Sequence, residues 1–328
     1  MWQTSLFVFL WRLLPAQYKS IIKYIIHLLT GKCELERICE EQKGVDTNYV
    51  VTKRFEQSLG TSKQLASLLE ENSNKETNIT FYYLSRKFTD VDEVYGKIRN
   101  IKGKNSFTSE HSKKVCKTCL RHMINLNQSI NYLDNLARTS FELSDTTHKN
   151  LLLSLWTTLK PNHTLTFMDD REELTSPDWK EIGFQGLHPK TDFRGMGMLG
   201  LVNLHRFVVL YTREAREMLE DVSDPTMWYP FAISGINITG ILINMIRSHE
   251  IVEVFYGLNF EQDEQTHQTT TENIFQGLYN YVFINFHEYY VKNNGTVMKF
   301  NILLQEYLRQ PSVQHALKTH TISPYSLL

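Results

Sequence analysis

A chain of 328 residues, 41% hydrophobic and 22% charged, has enough apolar mass for one large folded domain or two smaller ones. Its formal net charge of −1, without a long basic block, gives no reason to expect a nucleic-acid interface. The cysteines, Cys33, Cys39, Cys116 and Cys119, are too few for a disulfide framework and predict free thiols in a reducing compartment.

The amino-terminal segment has no acidic residue before position 33 and no uncharged apolar run of the ~18–20 residues that span a bilayer. After Pro15 the pattern becomes helical, with an apolar face and a basic face. The apolar face comprises Ile21, Ile22, Ile25, Ile26, Leu28 and Leu29, and the basic face comprises Lys19, Lys23 and His27. Such a helix suits the surface of an anionic membrane, as do Trp2 and Trp11. We therefore expect residues 1–44 to be a membrane-associating segment that contacts lipid through residues 1–32; packing on the main domain is the alternative.

Residues 45–140 are expected to form a helical amino-terminal part that contains loops. Residues 70–75 form a polar run typical of a solvated loop, and residues 99–114 are polar and basic without periodicity. Helices are expected at about 91–98 and 114–137.

The second of these helices carries the spacing C-x-x-C-x-x-H at Cys116, Cys119 and His122, which resembles part of a metal site. Three ligands on one helix need a distant fourth ligand, and Cys33 and Cys39 lie far away in sequence. We therefore expect buried or neutral cysteines here and no metal site.

Residues 141–310 show the clearest helical pattern, and residues 311–328 read as a tail. Ser144 is a candidate cap for a helix that Pro161 ends, and Ser176-Pro177 opens a short helix. One continuous helix is expected from about Phe193 through Leu219. Further helices are expected at 239–246, 275–286 and 297–308. Because alternating strand patterns are scarce, we predict an all-α fold.

The most informative segment is residues 179–204, WKEIGFQGLHPKTDFRGMGMLGLVNL. Its glycines and Pro189 predict a corner between helices, and Thr191 and Asp192 are candidate N-caps for the helix that follows. Arg194 stands at this corner, from which a long cation can reach an anionic site on a partner, as an arginine finger does. The alternative is a local ion pair with Asp192 or a neighbouring acidic residue that fixes the loop.

Residues 195–200 also fit the dinucleotide motif G-x-G-x-x-G, but the required buried strand does not precede them. The glycines instead predict close approach of another helix or of a partner surface. Neither a nucleophile elbow nor a P-loop occurs in the sequence, which argues against a self-contained active site.

The string from 179 to 201 resembles the signature of the ELMO domain, W-x-x-I-G-F-Q-G-x-D-P-x-T-D-F-R-G-x-G-x-L-G-L. Two further segments, LTGKCELERIC at 29–39 and YPFAISGINIT at 229–239, resemble other blocks of this family in order and spacing. The resemblance implies a single helical ELMO-type domain at 141–310 with an amino-terminal amphipathic extension. The family usually has an acidic residue before the proline, where this chain has Leu187-His188; this departure implies a different or weaker partner contact.

The small ELMO-domain-containing members act as GTPase-activating proteins, so the resemblance implies that this chain activates a small GTPase of the Arf-like group. It implies Arg194 as the catalytic residue, supplied in trans. It implies partner contacts at Gln185, Thr191, Asp192, Phe193, Gly195 and Gly197. Gln185 has the alternative role of a loop-stabilising amide.

GTP and magnesium would belong to the GTPase, and we expect no cofactor or metal in this chain. We expect a cytoplasmic protein that lies peripherally on an internal membrane, such as the ER, the Golgi or a lipid droplet. The larger ELMO scaffold proteins imply the alternative function, a non-catalytic binding module for a small GTPase or an exchange-factor complex.

Overall fold

The computed structural model describes residues 16–42, 49–74, 79–85, 87–103, 105–168, 174–256 and 264–319. The chain divides into an amino-terminal unit, Met1–Asn127, and a carboxy-terminal unit, Gln128–Leu328. Helices dominate the described part of both units, which confirms the all-α prediction. The division falls inside a helix and does not coincide with the sequence-based boundaries after residues 44, 140 and 310.

The amino-terminal unit is built from helices and one hairpin in its described part. The helices are α1 (Ala16–Thr30), α2 (Glu34–Glu41), α3 (Tyr49–Gly60), α4 (Val91–Lys102) and the first part of α5 (Glu110–Arg138). A 3-10 turn at Lys63–Leu68 leads into β1 (Leu69–Asn74), which pairs antiparallel with β2 (Ile79–Leu84) so that Leu69 lies opposite Leu84. The core of this unit includes Phe55, Leu59, Val94, Ile98 and Leu120, all fully buried.

The hairpin corrects the solvated loop that we predicted at 70–75. Polar residues such as those of β1 have a low strand propensity, so the segment is extended because it pairs with β2. The sequence of β2, ITFYYL, is rich in β-branched and aromatic residues that favour a strand.

The carboxy-terminal unit continues from the end of α5. Its helices are α6 (Thr146–Leu159), α7 (Gly197–Leu210), α8 (Thr212–Asp221), α9 (Phe231–Arg247), α10 (Glu253–Tyr256), α11 (Glu264–Lys292), α12 (Phe300–Leu308) and α13 (Pro311–Lys318). In the described part of this unit, 3-10 turns also occur at Pro177–Ile182, Pro189–Gly195 and Val297–Lys299.

Helices α7, α9 and α11 form the centre of this unit. The ring of Phe283 on α11 lies 5.0 Å from that of Phe207 on α7 and 5.2 Å from that of Phe231 on α9. Leu201 and Leu204 of α7 are fully buried. Because each of these rings buries a large apolar area, the three helices supply a rigid support for the segment that precedes α7.

Two helix predictions in this unit are wrong. The cap of α6 is Asp145 rather than Ser144, since its carboxylate accepts hydrogen bonds from the N–H groups of Thr147 (2.7 Å) and His148 (3.2 Å). The helix expected from 193 through 219 is broken at Tyr211, where the backbone leaves the helical region at φ −124° and ψ 49°. By contrast, Ser176-Pro177 opens the short 3-10 turn as predicted, with the Ser176 hydroxyl accepting from the N–H of Asp178.

Candidate functional site

The segment 183–197, called here the arginine loop, lies on a row of buried aromatic rings. Phe193 is 1% exposed, and its ring centroid lies 5.5 Å from that of Phe141 and 5.7 Å from that of Phe184. Phe184 in turn contacts Trp179 edge to face at 5.9 Å. Rings in such offset and edge-to-face contacts attract each other in addition to the stabilisation that comes from burying them. Phe193 therefore holds the middle of the loop against the core.

At each end of the loop a glycine lets the backbone pack directly against a neighbouring element. Gly183 has φ +85°, and a Cβ there would overlap the backbone of Phe231; its carbonyl accepts a hydrogen bond from Ile233 of α9 at 3.2 Å. Gly197 has φ +47°, and a Cβ there would overlap the carbonyl oxygen of Thr139 just beyond α5. Only glycine combines this backbone conformation with this closeness. The element that approaches Gly197 is therefore the end of a helix.

Asp192 ties the two arms of the loop together. Its carboxylate accepts a hydrogen bond from the backbone N–H of Gln185 at 2.9 Å, with a longer contact to the hydroxyl of Thr191 at 3.5 Å. Partial burial raises the pKa of the Asp192 carboxyl above its usual value. The predicted N-cap role of Thr191 and Asp192 is wrong, because a 3-10 turn intervenes and α7 begins only at Gly197, with Met196 as its N-cap residue.

Arg194 lies at the exposed end of this turn. Its guanidinium forms no hydrogen bond or ion pair with any residue in the described part of the chain. The alternative local ion pair with Asp192 is not formed, since the Asp192 carboxylate is directed to Gln185 and Thr191 instead. A guanidinium that carries five donors in a fixed fork is thus held at the surface, free to bind an external anion.

A cavity of about 510 Å³ opens beside Arg194. Its apolar lining includes Phe141, Leu152, Leu174, Pro189 and Phe193, all buried. Its charged lining consists of Arg138, Lys190 and Arg194, beside the imidazole of His188. The site therefore combines a cationic rim with an apolar floor, a pairing that suits a ligand with both an acidic and an apolar part.

The predicted partner-contact residues separate into two groups. Gln185, Thr191 and Gly195 are exposed beside Arg194, and Asp192 is half-buried. Phe193 and Gly197 lie inside the loop and reach the surface only as part of the cavity wall. Sequence reasoning missed Arg138 and Phe141, because nothing in their local pattern indicates that the end of α5 meets the arginine loop. Lys190 stands within the motif and could have been selected by its charge.

The departure Leu187-His188 lies at a structured corner of the same loop. The carbonyl of Leu187 accepts a hydrogen bond from the N–H of Ser176 at 3.1 Å. Nδ1 of His188 lies 3.1 Å from the hydroxyl of Thr175, and the His188 side chain is exposed at the cavity wall. An imidazole thus occupies the position before the proline.

The C-x-x-C-x-x-H motif lies in the interior of the amino-terminal unit. Cys39, Cys116 and Cys119 are each 0% exposed, and the Cys116 thiol lies close to Cys39. Burial raises the pKa of the Cys116 and Cys119 thiols. Burial also lowers the pKa of His122 to about 4, and its Nδ1 lies 2.8 Å from the hydroxyl of Thr52. Among the described residues, no group of three or more histidine, cysteine or acidic side chains is placed to hold a metal ion.

Helix α1 exposes most of its predicted apolar face. The exposed large residues are Tyr18, Ile21, Tyr24, Ile25, Leu28 and Leu29, the last of them 81% exposed. Ile22 and Ile26 are half-buried, and Lys23 forms an ion pair with Glu34 of α2 at 2.9 Å. Trp2 and Trp11 lie outside the described residues. None of the helices in the described ranges has the length and apolarity needed to cross a membrane.

Residues 131–304 match the ELMO/CED-12 family, a span that contains the arginine loop and every wall of the cavity. The chain belongs to this family. It is 30% identical over 307 residues to the ELMO domain-containing protein 2 of Mus musculus, covering 92% of this chain and 94% of that protein. It is 32% identical over 306 residues to the ELMO domain-containing protein B of Dictyostelium discoideum, covering 92% and 93%. No solved structure matches this member of the ELMO/CED-12 family.

Proposed function

We propose that this ELMO/CED-12 protein is a GTPase-activating protein for a small GTPase of the Arf-like group, with Arg194 as the arginine finger. Proteins of this family are associated with small GTPase pathways. The observation that carries the proposal is the position of Arg194, exposed and without a partner in the described part of the chain, on a loop held by Phe193, Gly183, Gly197 and Asp192.

The activator's part in the reaction is electrostatic. The GTPase supplies the magnesium ion, the phosphate-binding loop and the attacking water, and Arg194 enters towards the β- and γ-phosphates. Its planar fork stabilises the charge that develops as the bond to the γ-phosphoryl group breaks. Since the backbone around Arg194 is already fixed, little ordering of the loop is needed when the GTPase binds.

Single-turnover GTP hydrolysis by a panel of Arf-like GTPases tests the proposal. We expect the parent protein to accelerate at least one member by ~10³–10⁵-fold. Arg194→Lys keeps the charge and loses the fork, so most of the acceleration should disappear. Arg309→Lys, at an exposed site just after α12, is the matched control and should keep it. Folded parent protein that accelerates no panel member would overturn the proposal.

The second candidate function is a non-catalytic binding module, which the loss of an acidic residue at Leu187-His188 favours. The discriminating variant is Arg194→Ala, since it removes the guanidinium from an exposed position without touching the loop's supports. If folding and GTPase binding persist while hydrolysis falls, the module function is excluded. If the parent binds a GTPase tightly and neither parent nor variant changes hydrolysis, the activator function is excluded.

We also propose that α1 associates this protein with an anionic internal membrane from the cytoplasmic side. The support is the exposed apolar row on α1, together with basic residues in the same segment. Flotation with phosphatidylcholine vesicles, with and without phosphatidylserine, tests it. We expect binding that phosphatidylserine strengthens and that Leu28→Asp with Leu29→Asp abolishes. Val209→Asp, at an exposed apolar site on α7, is the control. Equal lack of binding to both vesicles would refute the association.

A further inference from the structure

We infer that the cavity beside Arg194 is the anchoring pocket for the GTPase, and that it takes a bulky apolar side chain flanked by a carboxylate that pairs with Arg138. This inference rests on the proposed function and adds the chemistry of the partner segment. Arg194, the proposed finger, and Gly195 both line the cavity. A GTPase that receives Arg194 therefore lies over the cavity, and we infer that one short segment of it is the occupant.

The apolar floor sets the first requirement on the occupant. At about 510 Å³ the cavity has room for a large side chain. Its floor is formed by side chains from three places in the fold: Phe141 after α5, Leu152 on α6 and Phe193 in the arginine loop, all buried. Because this floor is apolar and already packed, burying an apolar side chain of the partner against it is favourable.

The charges at the rim set the second requirement. Arg138 is exposed at the end of α5, and its guanidinium, like that of Arg194, forms no hydrogen bond or ion pair in the described ranges. Lys190 has an ion pair with Glu142 at 3.4 Å, but their side chains are 48% and 53% exposed, so this pair is weak and can be exchanged. The rim is therefore positive overall, and a complementary partner segment is acidic.

The open backbone at Gly195 leaves room for a protein segment to reach the cavity. A Cβ at Gly195 would meet no atom within 4 Å, so a partner backbone can lie directly over the loop here. A side chain seated in the cavity would then fix the distance between the GTPase and Arg194. The pocket thus governs affinity and partner choice, and the finger governs the rate of hydrolysis.

The test separates these two quantities by titrating each variant against the GTP-loaded panel member that the parent accelerates. Ser140→Trp places an indole in the cavity from an exposed wall position, and Arg138→Glu reverses the rim charge. For both, we expect the concentration for half-maximal acceleration to rise by ~10-fold or more, since 1.4 kcal/mol is tenfold. The maximal rate should stay within about twofold of the parent. Arg194→Lys should instead lower the maximal rate and leave the half-maximal concentration near that of the parent.

Matched controls keep the outcomes distinct. Thr157→Trp on α6 and Arg309→Glu after α12 are exposed and lie away from the cavity, so both should behave as the parent. Arg138→Gln removes the charge without reversing it and should give a smaller rise than Arg138→Glu. An unchanged half-maximal concentration in Ser140→Trp and Arg138→Glu would overturn the pocket while the finger stands. Absence of acceleration by the parent overturns the finger, and the pocket with it.

Discussion

Two regions of this protein carry a short motif of the kind that often marks chemistry, and the fold uses them in opposite ways. In the amino-terminal unit, Cys116, Cys119 and His122 point into the core, where burial keeps the thiols protonated and the imidazole neutral. In the carboxy-terminal unit, the arginine loop is supported from within and presents Arg194 to solvent. Spacing along a helix or loop therefore indicates which groups are neighbours, and burial decides whether a ligand can reach them.

The largest expected effect concerns the support beneath the loop. Phe193→Ala removes a ring packed between Phe141 and Phe184 and should cost ~3–5 kcal/mol of unfolding free energy. Phe286→Ala, at another fully buried site, should cost a similar amount. Only Phe193→Ala should also lose GTPase acceleration at a temperature where both variants are folded. Full acceleration by folded Phe193→Ala would show that the loop does not depend on this support.

The two glycines of the G-x-G string should differ from each other. Gly197→Ala places a methyl group against the carbonyl of Thr139 at positive φ, so it should cost ~2–4 kcal/mol. Gly195→Ala meets open space and should change stability by less than ~0.5 kcal/mol. Chemical denaturation of both variants measures the difference. Equal losses would contradict the close approach of the α5 end to Gly197.

The buried His122 should make the stability of the folded protein depend on pH. Because the pKa of His122 is about 4 in the folded protein against an ordinary 6.5, the unfolded chain binds the proton first as the pH falls. Protonation of His122 therefore lowers the free energy of unfolding by up to ~3 kcal/mol as the pH falls from 6.5 to 4. The free energy of unfolding, measured with denaturant at pH 7, 5.5 and 4.5, should fall less steeply with pH for His122→Gln than for the parent. Identical slopes would place His122 in a solvated site.

The smallest effect is expected at Asp192. Asp192→Ala removes the acceptor of the Gln185 N–H and should cost ~1 kcal/mol, with a modest fall in acceleration. Asp192→Asn keeps an acceptor oxygen and should restore both properties. Since burial raises the pKa of the native carboxyl, the asparagine variant should be no less stable than the parent at neutral pH. Loss of function in Asp192→Asn equal to that in Asp192→Ala would instead indicate a contact between the carboxylate charge and the GTPase.

The sequence predicts the start of a helical segment well where a capping residue is followed by proline, as at Ser176-Pro177. It fails at Tyr211, because neither proline nor glycine marks the break; the Thr212 hydroxyl bonds back to the carbonyl of Val208 there, an interaction that helical periodicity does not reveal. It also fails for β1, whose extended form depends on its pairing with β2.

The candidate site divides in the same way. The exposed corner that carries Arg194 is local, so glycines and a proline predict it. The bond from Gln185 to Asp192 spans seven residues, and the contact of Gly197 with Thr139 joins segments far apart in sequence. Likewise, Cys39 meets Cys116 only in the folded chain. Long-range packing of this kind leaves no periodic signal, which is why Arg138 and the cavity were not foreseen.

The arrangement of His188 bears on how such a protein changes partners over evolutionary time. His188 touches the cavity and Thr175 but takes no part in the aromatic row beneath Phe193 or in the contacts of Gly183 and Gly197. A substitution there alters the charge that a visiting surface meets and leaves the corner that carries Arg194 intact. If the proposed function holds, a single change at this position should therefore alter which partner binds without removing the finger.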